Sequence, residues 1–247
     1  MKLTEDHKSF VVYVADCVTP LLHYIPTGIP EYTDHGFLHS INVLRNIRDI
    51  VHEYPVKSEE EEKLILTLST VLHDLGCIVK RKKHNERTIK ILSKSRFDFL
   101  RFTLGKPLYR ALEAVITAHS GEVDLGRIPD DPCPEIRLKL TIPIFRLADA
   151  CDITSRRVKE LLLQILVEED LLNKKSKHIW RSHLEIENIL VRGTQIRPQI
   201  YDRRLARYSL AKLSDELRVI NKILSKHSLP IFTLEPDIVE RSILKRP

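Results

Sequence analysis

Residues 64–76 have the sequence LILTLSTVLHDLG, and this stretch decides how the rest of the chain is interpreted. Its first nine residues are apolar on nearly every side of a helix, which predicts a helix buried in the core. The run ends in His73 and Asp74, where burial of an imidazole or a carboxylate is unfavourable without a partner. A mutual hydrogen bond would satisfy this pair, and so would a bound cation. The sequence therefore predicts a helical core with a candidate metal site at the end of one helix.

The spacing of apolar residues predicts helices over most of the chain. We predict them at 5–24, from 37 onward, at 59–75, 85–95 and 108–119, in a segment ending near 151, at 155–172, and in a long segment at 203–226. Residues 184–201 alternate around a turn at Gly193, which predicts a β-hairpin, and Pro198 indicates an edge strand because proline lacks the N–H. The predicted fold class is mostly α: a helical bundle at 1–175, with a small C-terminal β-hairpin and a long terminal helix at 176–247 packed on it.

Composition and charge exclude several classes of protein. The chain has 247 residues and a net charge of +6, with an isoelectric point near 9.1. This surplus permits phosphate-bearing partners without requiring them. No apolar stretch approaches the roughly 18 to 20 residues that span a bilayer, and the first residues do not resemble a signal peptide. The four cysteines form no Cys-x-x-Cys pair, so neither a disulfide framework nor a zinc knuckle is indicated. We therefore expect a cytoplasmic protein without a membrane partner.

Three further ionisable residues face the predicted core. His39 lies one turn before Val43 on an apolar helix face, His119 ends the apolar stripe of its helix, and Asp149 follows Phe145 by four residues. Singly, each could be a core polar residue with a satisfied hydrogen bond. Together with the His-Asp pair they indicate a shared divalent ion. Imidazoles with carboxylates suit manganese, iron, cobalt, nickel or zinc, and magnesium remains possible.

The order of these residues resembles the HD superfamily of metal-dependent phosphohydrolases, which is named after the adjacent His-Asp pair. The resemblance covers about 32–157 and rests on HGFLHSINVL around His39, LHDLG at the pair and FRLADA around Asp149. It implies an HD-type helical bundle in which His39, His73, Asp74 and Asp149 hold one metal ion.

The family also includes members with two metals, such as the HD-GYP phosphodiesterases, which add histidines between the pair and the last aspartate. His84, in KHNERT, and His119, in TAHSGE, stand in suitable places. By this similarity Asp74 would bridge two ions, and His84 and His119 would serve the second. The alternatives are a single metal, and an exposed His84 at a helix start.

The sequence departs from the two-metal members at the position after the pair, where they have a Gly-Lys that places a cation near the phosphate. Here Cys77 follows the glycine, so we consider Lys80 or Arg81 as the replacement. Arg156 and Arg157 could clamp a phosphate with two hydrogen bonds each, or could face solvent. The Gly-Tyr-Pro segment of the HD-GYP group is absent, so that group's substrate is not transferred.

Two residues are candidates for supporting roles. His35 lies four residues before His39 and could bind phosphate or shuttle a proton, or could simply bond Asp34 at the helix start. Glu122, just after His119, could accept a hydrogen bond from a ligand histidine. We predict catalytic roles for Asp74, His35 and Lys80, and substrate binding by Lys80, Arg81, Arg156 and Arg157.

These residues predict hydrolysis, because a divalent ion lowers the pKa of bound water from ~15.7 to about 7. The leading interpretation is a phosphohydrolase for a nucleotide or small phosphodiester. A nuclease is favoured by the basic chain but weakened by an aromatic content of 6%. The third alternative is a non-catalytic module in which the metal only stabilises the fold. The apolar stripe of the last helix predicts a lid or a homodimer contact.

Overall fold

The computed structural model describes residues 3–28, 33 and 35–241, apart from the side chains of 26–28. It is mostly helical, which confirms the predicted fold class. The helices are α1 Glu5–Gly28, α2 Phe37–Glu53, α3 Glu60–Leu72, α4 His84–Leu92, α5 Asp98–Ala118, α6 Leu138–Ala150, α7 Glu160–Glu168, α8 Lys174–Leu184 and α9 Arg203–Lys226. Short 3₁₀ turns lie at Leu75–Ile78, Ser95–Phe97, Leu125–Arg127 and Ser155–Arg157. A small sheet contains β1 Ile186–Arg192, β2 Gln195–Ile200, β3 Thr233–Leu234 and β4 Asp237–Ile238. No helix in the described ranges is both long and apolar enough to cross a bilayer.

Helix α3 occupies the middle of the core, as its sequence predicts. It packs against α1, α2, α5 and α6, and its apolar side chains are buried almost all round. A capping box starts the helix, with the Glu59 amide donating to Glu62 Oε2 at 2.8 Å. The helix ends at Leu72, three residues earlier than predicted. Asp74 leaves helical geometry at φ −97° and ψ 5°, and a 3₁₀ turn follows. The His-Asp pair therefore lies at a break in the backbone.

Gly76 joins this break to α4. A Cβ at Gly76 would lie 2.0 Å from the carbonyl oxygen of His84, so only glycine permits this close approach. The Gly76 amide donates to Thr88 Oγ1 at 2.8 Å, and the Thr88 hydroxyl donates to the His73 carbonyl at 2.8 Å. The first residue of α4 is thus held against the end of α3, which places His84 next to the His-Asp pair.

Helix α9 has the bounds that the sequence predicts, because both its stripe and its cap are local signals. Asp202 caps it by accepting from the amides of Arg204 at 2.7 Å and Leu205 at 3.1 Å. Its apolar face packs against α6 and α8. A buried ion pair adds to this contact, because the Arg146 guanidinium on α6 donates to Glu216 on α9. The terminal helix is therefore joined to the helix that provides Asp149.

Several predicted elements differ from the structure. The helix predicted at 155–172 is a 3₁₀ turn followed by the shorter α7, and α8 was not predicted. Helix α5 begins ten residues before the predicted start, with a kink where Gly105 adopts φ +68°. The hairpin is confirmed, but the edge position of Pro198 is wrong, since β2 lies between β1 and the pair β3 and β4. Pro198 fits because β3 and β4 pair with residues on either side of it and leave no ladder bond for its missing N–H.

Candidate metal centre

One group of predicted ligands converges at the C-terminal end of α3. His39 Nε2 lies 3.1 Å from His73 Nε2, 3.5 Å from Asp74 Oδ2 and 3.2 Å from Asp149 Oδ1. His73 Nε2 lies 3.5 Å from Asp74 Oδ2 and 4.0 Å from Asp149 Oδ1. Donor atoms around one ion with bonds of about 2.0–2.1 Å are about 3 to 3.4 Å apart. The four predicted residues are therefore close to the spacing of a mononuclear ligand set.

A second group lies on the other oxygen of Asp74. His84 Nε2 is 3.0 Å and His119 Nε2 is 3.8 Å from Asp74 Oδ1, and the two ring nitrogens are 2.7 Å apart. Asp74 thus presents Oδ2 to His39 and His73, and Oδ1 to His84 and His119. A carboxylate divided in this way can bridge two ions. The structure brings all six predicted ligands together, and His84 is buried rather than exposed.

The four histidines share one orientation, with Nε2 inward and Nδ1 outward. The outward partners are Asp152 Oδ2 at 2.6 Å for His39, the Ser69 and Thr70 carbonyls at 3.0 and 3.2 Å for His73, the Arg81 carbonyl at 3.0 Å for His84, and the Ile116 carbonyl at 2.5 Å for His119. Carbonyl oxygens only accept, so Nδ1 donates and the neutral ring has its lone pair on Nε2. For His84 and His119 these lone pairs face each other at 2.7 Å and repel, and a cation between them removes this repulsion. The donor set therefore fits divalent metal ions.

The charges of the site favour ionised carboxylates. Burial opposes ionisation of Asp74, but the neighbouring His73, His119 and His84 hold the pKa of its carboxyl well below the ordinary value. Burial likewise opposes ionisation of Asp149, and His39 and other histidines outweigh it and lower that pKa. Burial lowers the pKa of the His73 imidazole to about 4, which favours the neutral ligand form.

His39 differs from His73 because carboxylates flank both of its nitrogens. Burial and the Arg157 guanidinium act to lower its pKa, but hydrogen bonds to Asp149 and Asp152 raise the pKa to about 9. Without a metal, a proton on His39 is therefore stabilised at the place where a metal would supply positive charge. This is further support for a cation at that position.

Asp152 was missed by the sequence analysis. Its carboxylate accepts from His39 Nδ1 at 2.6 Å, and both side chains are buried with 1% exposure. An acceptor behind a ligand histidine fixes the ring and increases the basicity of the ligating nitrogen. The sequence contains only a weak signal for this role, namely a second aspartate three residues after Asp149. Glu122 is the residue for which the sequence predicts a hydrogen bond to a ligand histidine. It is exposed, and His119 Nδ1 donates to the Ile116 carbonyl instead.

Cys77 is a further neighbour of the second group. Its thiol lies 3.6 Å from Asp74 Oδ1 and, with Asp74 and His84, could also hold a metal. Burial and the Asp74 carboxylate raise the pKa of the thiol, so the protonated thiol donates to Asp74. The imidazole set is therefore the better second ligand group.

A cavity of about 420 Å³ opens onto both groups. Among the predicted substrate-binding residues, Arg81 and Arg157 line it, whereas Lys80 and Arg156 are exposed and are not among its lining residues. Arg81 Nη1 lies 2.9 Å from His84 Nε2. Arg157 Nη1 donates to the Asp152 carbonyl at 2.9 Å. Two arginines thus lie at the mouth of the site, where they can meet an anion.

His35 is buried at the cavity, and its Nδ1 donates to the Thr33 carbonyl at 2.5 Å. Its ring centroid is 5.7 Å from that of His39. Burial, followed by the Arg81 and Arg157 guanidiniums, holds its pKa well below the ordinary value, so the ring is neutral at pH 7. The alternative partner Asp34 lies outside the described residues. His35 is thus placed beside the ligands, while its role in proton transfer stays a prediction.

These features define a class of site: a buried His/Asp constellation on a helical scaffold, with geometry suited to one or two divalent ions. The family model described as HD-CE matches residues 29–222. The chain therefore belongs to the HD-CE family. The matched range contains all six candidate ligands, together with α8 and most of α9, and it crosses the predicted boundary at 175. No curated protein matches the chain.

Proposed function

We propose that this protein is a metal-dependent phosphohydrolase that acts on a nucleotide or another small phosphate ester. The observation behind the proposal is the shared orientation of four histidines around Asp74 and Asp149, with each Nδ1 held from outside. Such a site suits first-row divalent ions, among them manganese, iron, cobalt, nickel and zinc. When bound, such ions polarise a phosphoryl oxygen and activate water. We place the reaction in the cytoplasm, consistent with free cysteines among the described residues.

The residues of the chain divide into three roles in this proposal. Asp74 and Asp149 provide the negative charge that holds the cations, and Asp74 orients both groups through its two oxygens. Arg81 and Arg157, which both line the cavity, bind phosphate oxygens of the substrate, a role for which the guanidinium is well shaped. We assign this role to Arg81 rather than to Lys80, because only Arg81 lines the cavity.

His35 is our candidate for accepting a proton during the reaction. It is neutral, it is buried at the cavity, and its Nδ1 is engaged by a carbonyl, so Nε2 is the nitrogen that would exchange a proton with a ligand.

The nuclease alternative has weaker support. None of the residues 186–200 in the basic hairpin lines the cavity, and Arg197 is paired with Asp237 at 2.8 Å.

The test is metal analysis of the purified protein, followed by hydrolysis assays with p-nitrophenyl phosphate, bis(p-nitrophenyl) phosphate and a nucleotide panel. Asp74→Asn keeps the shape but removes the bridging charge, so we expect loss of metal and a fall in kcat/KM of about 10³-fold or more. The matched control is Asp49→Asn, on the exposed side of α2, which should keep full activity. Equal activity of the two variants, or no hydrolysis by metal-loaded protein, would contradict the proposal and favour the non-catalytic module.

A further inference from the structure

The cavity has a second wall that the candidate metal ligands do not explain. Trp180 and His183 of α8, and Ser209 and Lys212 of α9, line it together with the ligand groups. The volume of about 420 Å³ lies within the range of pockets that hold whole small molecules. A single phosphate at the metal centre would leave much of this space unfilled. The second wall therefore has room for another part of the ligand.

More cationic than anionic side chains line the cavity. Five cationic side chains line it, and Arg146 is already paired with Glu216. Lys212 makes no ion pair with any described residue, although its side chain is exposed within the cavity lining. Desolvation and then the nearby Arg157 guanidinium lower the pKa of Lys212, and the Asp149 and Glu216 carboxylates offset this only in part. Like charges gathered in a recess repel each other, and a bound anion would relieve that repulsion.

The neutral polar groups of the same wall can donate hydrogen bonds. Trp180 Nε1, His183 Nδ1 and Ser209 Oγ are buried and have no hydrogen-bond partner among the described residues. An indole N–H and a lysine ammonium can only donate, and a hydroxyl can do so. Phosphate oxygens only accept and match such a wall. Because these atoms are buried, each side chain must move to turn its polar atom toward a ligand.

We propose that Lys212 and Arg157, supported by the donors of α8 and Ser209, form a second anion subsite that binds a non-reacting phosphate of the substrate. The substrate class is then a compound with at least two phosphate groups. This proposal rests on the proposed function for the reacting phosphate. It also gives the C-terminal helices a role in substrate selection, because α9 provides Lys212.

The binding test uses metal-loaded protein at constant free metal, with methylenediphosphonate as a non-hydrolysable probe with two anionic groups and methylphosphonate as the probe with one. We expect the diphosphonate to bind more tightly. Lys212→Met should weaken diphosphonate binding by about tenfold or more, as expected for loss of a hydrogen bond between charged groups. Lys222→Met is the matched control, because Lys222 is an exposed residue of the same helix outside the cavity lining. Lys212→Arg should retain most of the affinity.

The kinetic test compares hydrolysis of a nucleoside diphosphate with that of p-nitrophenyl phosphate. Lys212→Met should raise KM for the diphosphate and leave KM for p-nitrophenyl phosphate unchanged. If no substrate is hydrolysed, the proposed function fails, and the diphosphonate titration still tests the subsite. Equal affinities for the two phosphonates, or equal effects of Lys212→Met and Lys222→Met, would overturn the subsite while leaving the hydrolase intact.

Discussion

The hydrogen bond from His39 to Asp152 offers a sharp test of the metal centre. Asp152→Asn keeps the shape of the side chain, and its amide oxygen can still accept from His39 Nδ1 at the 2.6 Å position. The other carboxylate oxygen of Asp152 has no partner among the described residues, so the amide nitrogen can take its place without displacing a bond. This variant therefore removes the charge behind His39 and keeps the geometry, whereas Asp152→Ala removes both.

Loss of such an outer partner lowers metal affinity by about 10- to 100-fold. We expect Asp152→Asn to weaken metal binding by about tenfold, because one hydrogen bond survives, and Asp152→Ala to weaken it by about 100-fold. At free metal about 100 times the wild-type dissociation constant, binding stabilises the fold by about 2.7 kcal/mol. A tenfold weaker site at the same concentration contributes about 1.4 kcal/mol, so Asp152→Asn should lose about 1.3 kcal/mol of metal-dependent unfolding free energy.

The assay is competition with a chelator of known affinity, paired with denaturant unfolding in the presence and absence of metal. Comparison with the metal-free state separates the effect on metal binding from any general loss of stability. Asp215→Asn is the control, since Asp215 is an exposed residue of α9 that forms an ion pair with Arg218 and with no other described residue. Wild-type metal affinity in both Asp152 variants would refute the reasoning that this carboxylate tunes His39.

Two further predictions concern the second ligand group and the acid side of stability. Gly76→Ala places a Cβ 2.0 Å from the His84 carbonyl oxygen, so α4 must move away. Elemental analysis of this variant should then show one metal ion fewer per chain. The control is Gly121→Ala, whose Cβ would meet nothing closer than 3.6 Å and which should keep the full metal content. A Gly76→Ala protein with unchanged metal content would contradict the second group. Burial, followed by Arg157 and Lys212, holds the pKa of His183 well below the ordinary value. As the pH falls below about 6.5, the unfolded chain therefore binds a proton at His183 before the folded chain does. The free energy of unfolding then decreases by at most about 1.4 kcal/mol per pH unit. His183→Asn should therefore flatten the fall in melting temperature between about pH 6.5 and 5; an unaltered profile would show that His183 is not the residue responsible.

Local patterns account for what the sequence could predict. The buried α3 is continuous in apolar residues, and α9 has both a regular stripe and an aspartate cap, so each is specified by its own residues. His39, His119 and Asp149 were found because each lies on an apolar helix face, whereas His84 was found only through the order of residues in the HD superfamily. Their assembly around the two oxygens of Asp74 depends on contacts between helices that are distant in sequence, and it supports the predicted bridging arrangement.

The features that were missed depend on contacts between distant segments. Helix α8 is rich in basic and polar residues, and its buried face includes Ser176, Ser182 and His183, so no apolar stripe indicates it. Asp152 acts on a histidine 113 residues away, which no local pattern reveals. The central position of β2 depends on two short strands at 233–234 and 237–238, each too short to give a recognisable alternation.

The ligands are far apart along the chain, and this bears on whether folding or metal binding comes first. His39 and His73 are separated by 34 residues, and His84 and His119 by 35. Closing such loops costs conformational entropy before the donor atoms come together. In a zinc finger, by contrast, a few neighbouring ligands collect the metal and the metal drives folding. We infer that the large apolar core forms first here and that the ion then binds to a site that is already built. We therefore expect newly made chains to fold without metal and to take their ions from whatever the cell offers at that moment.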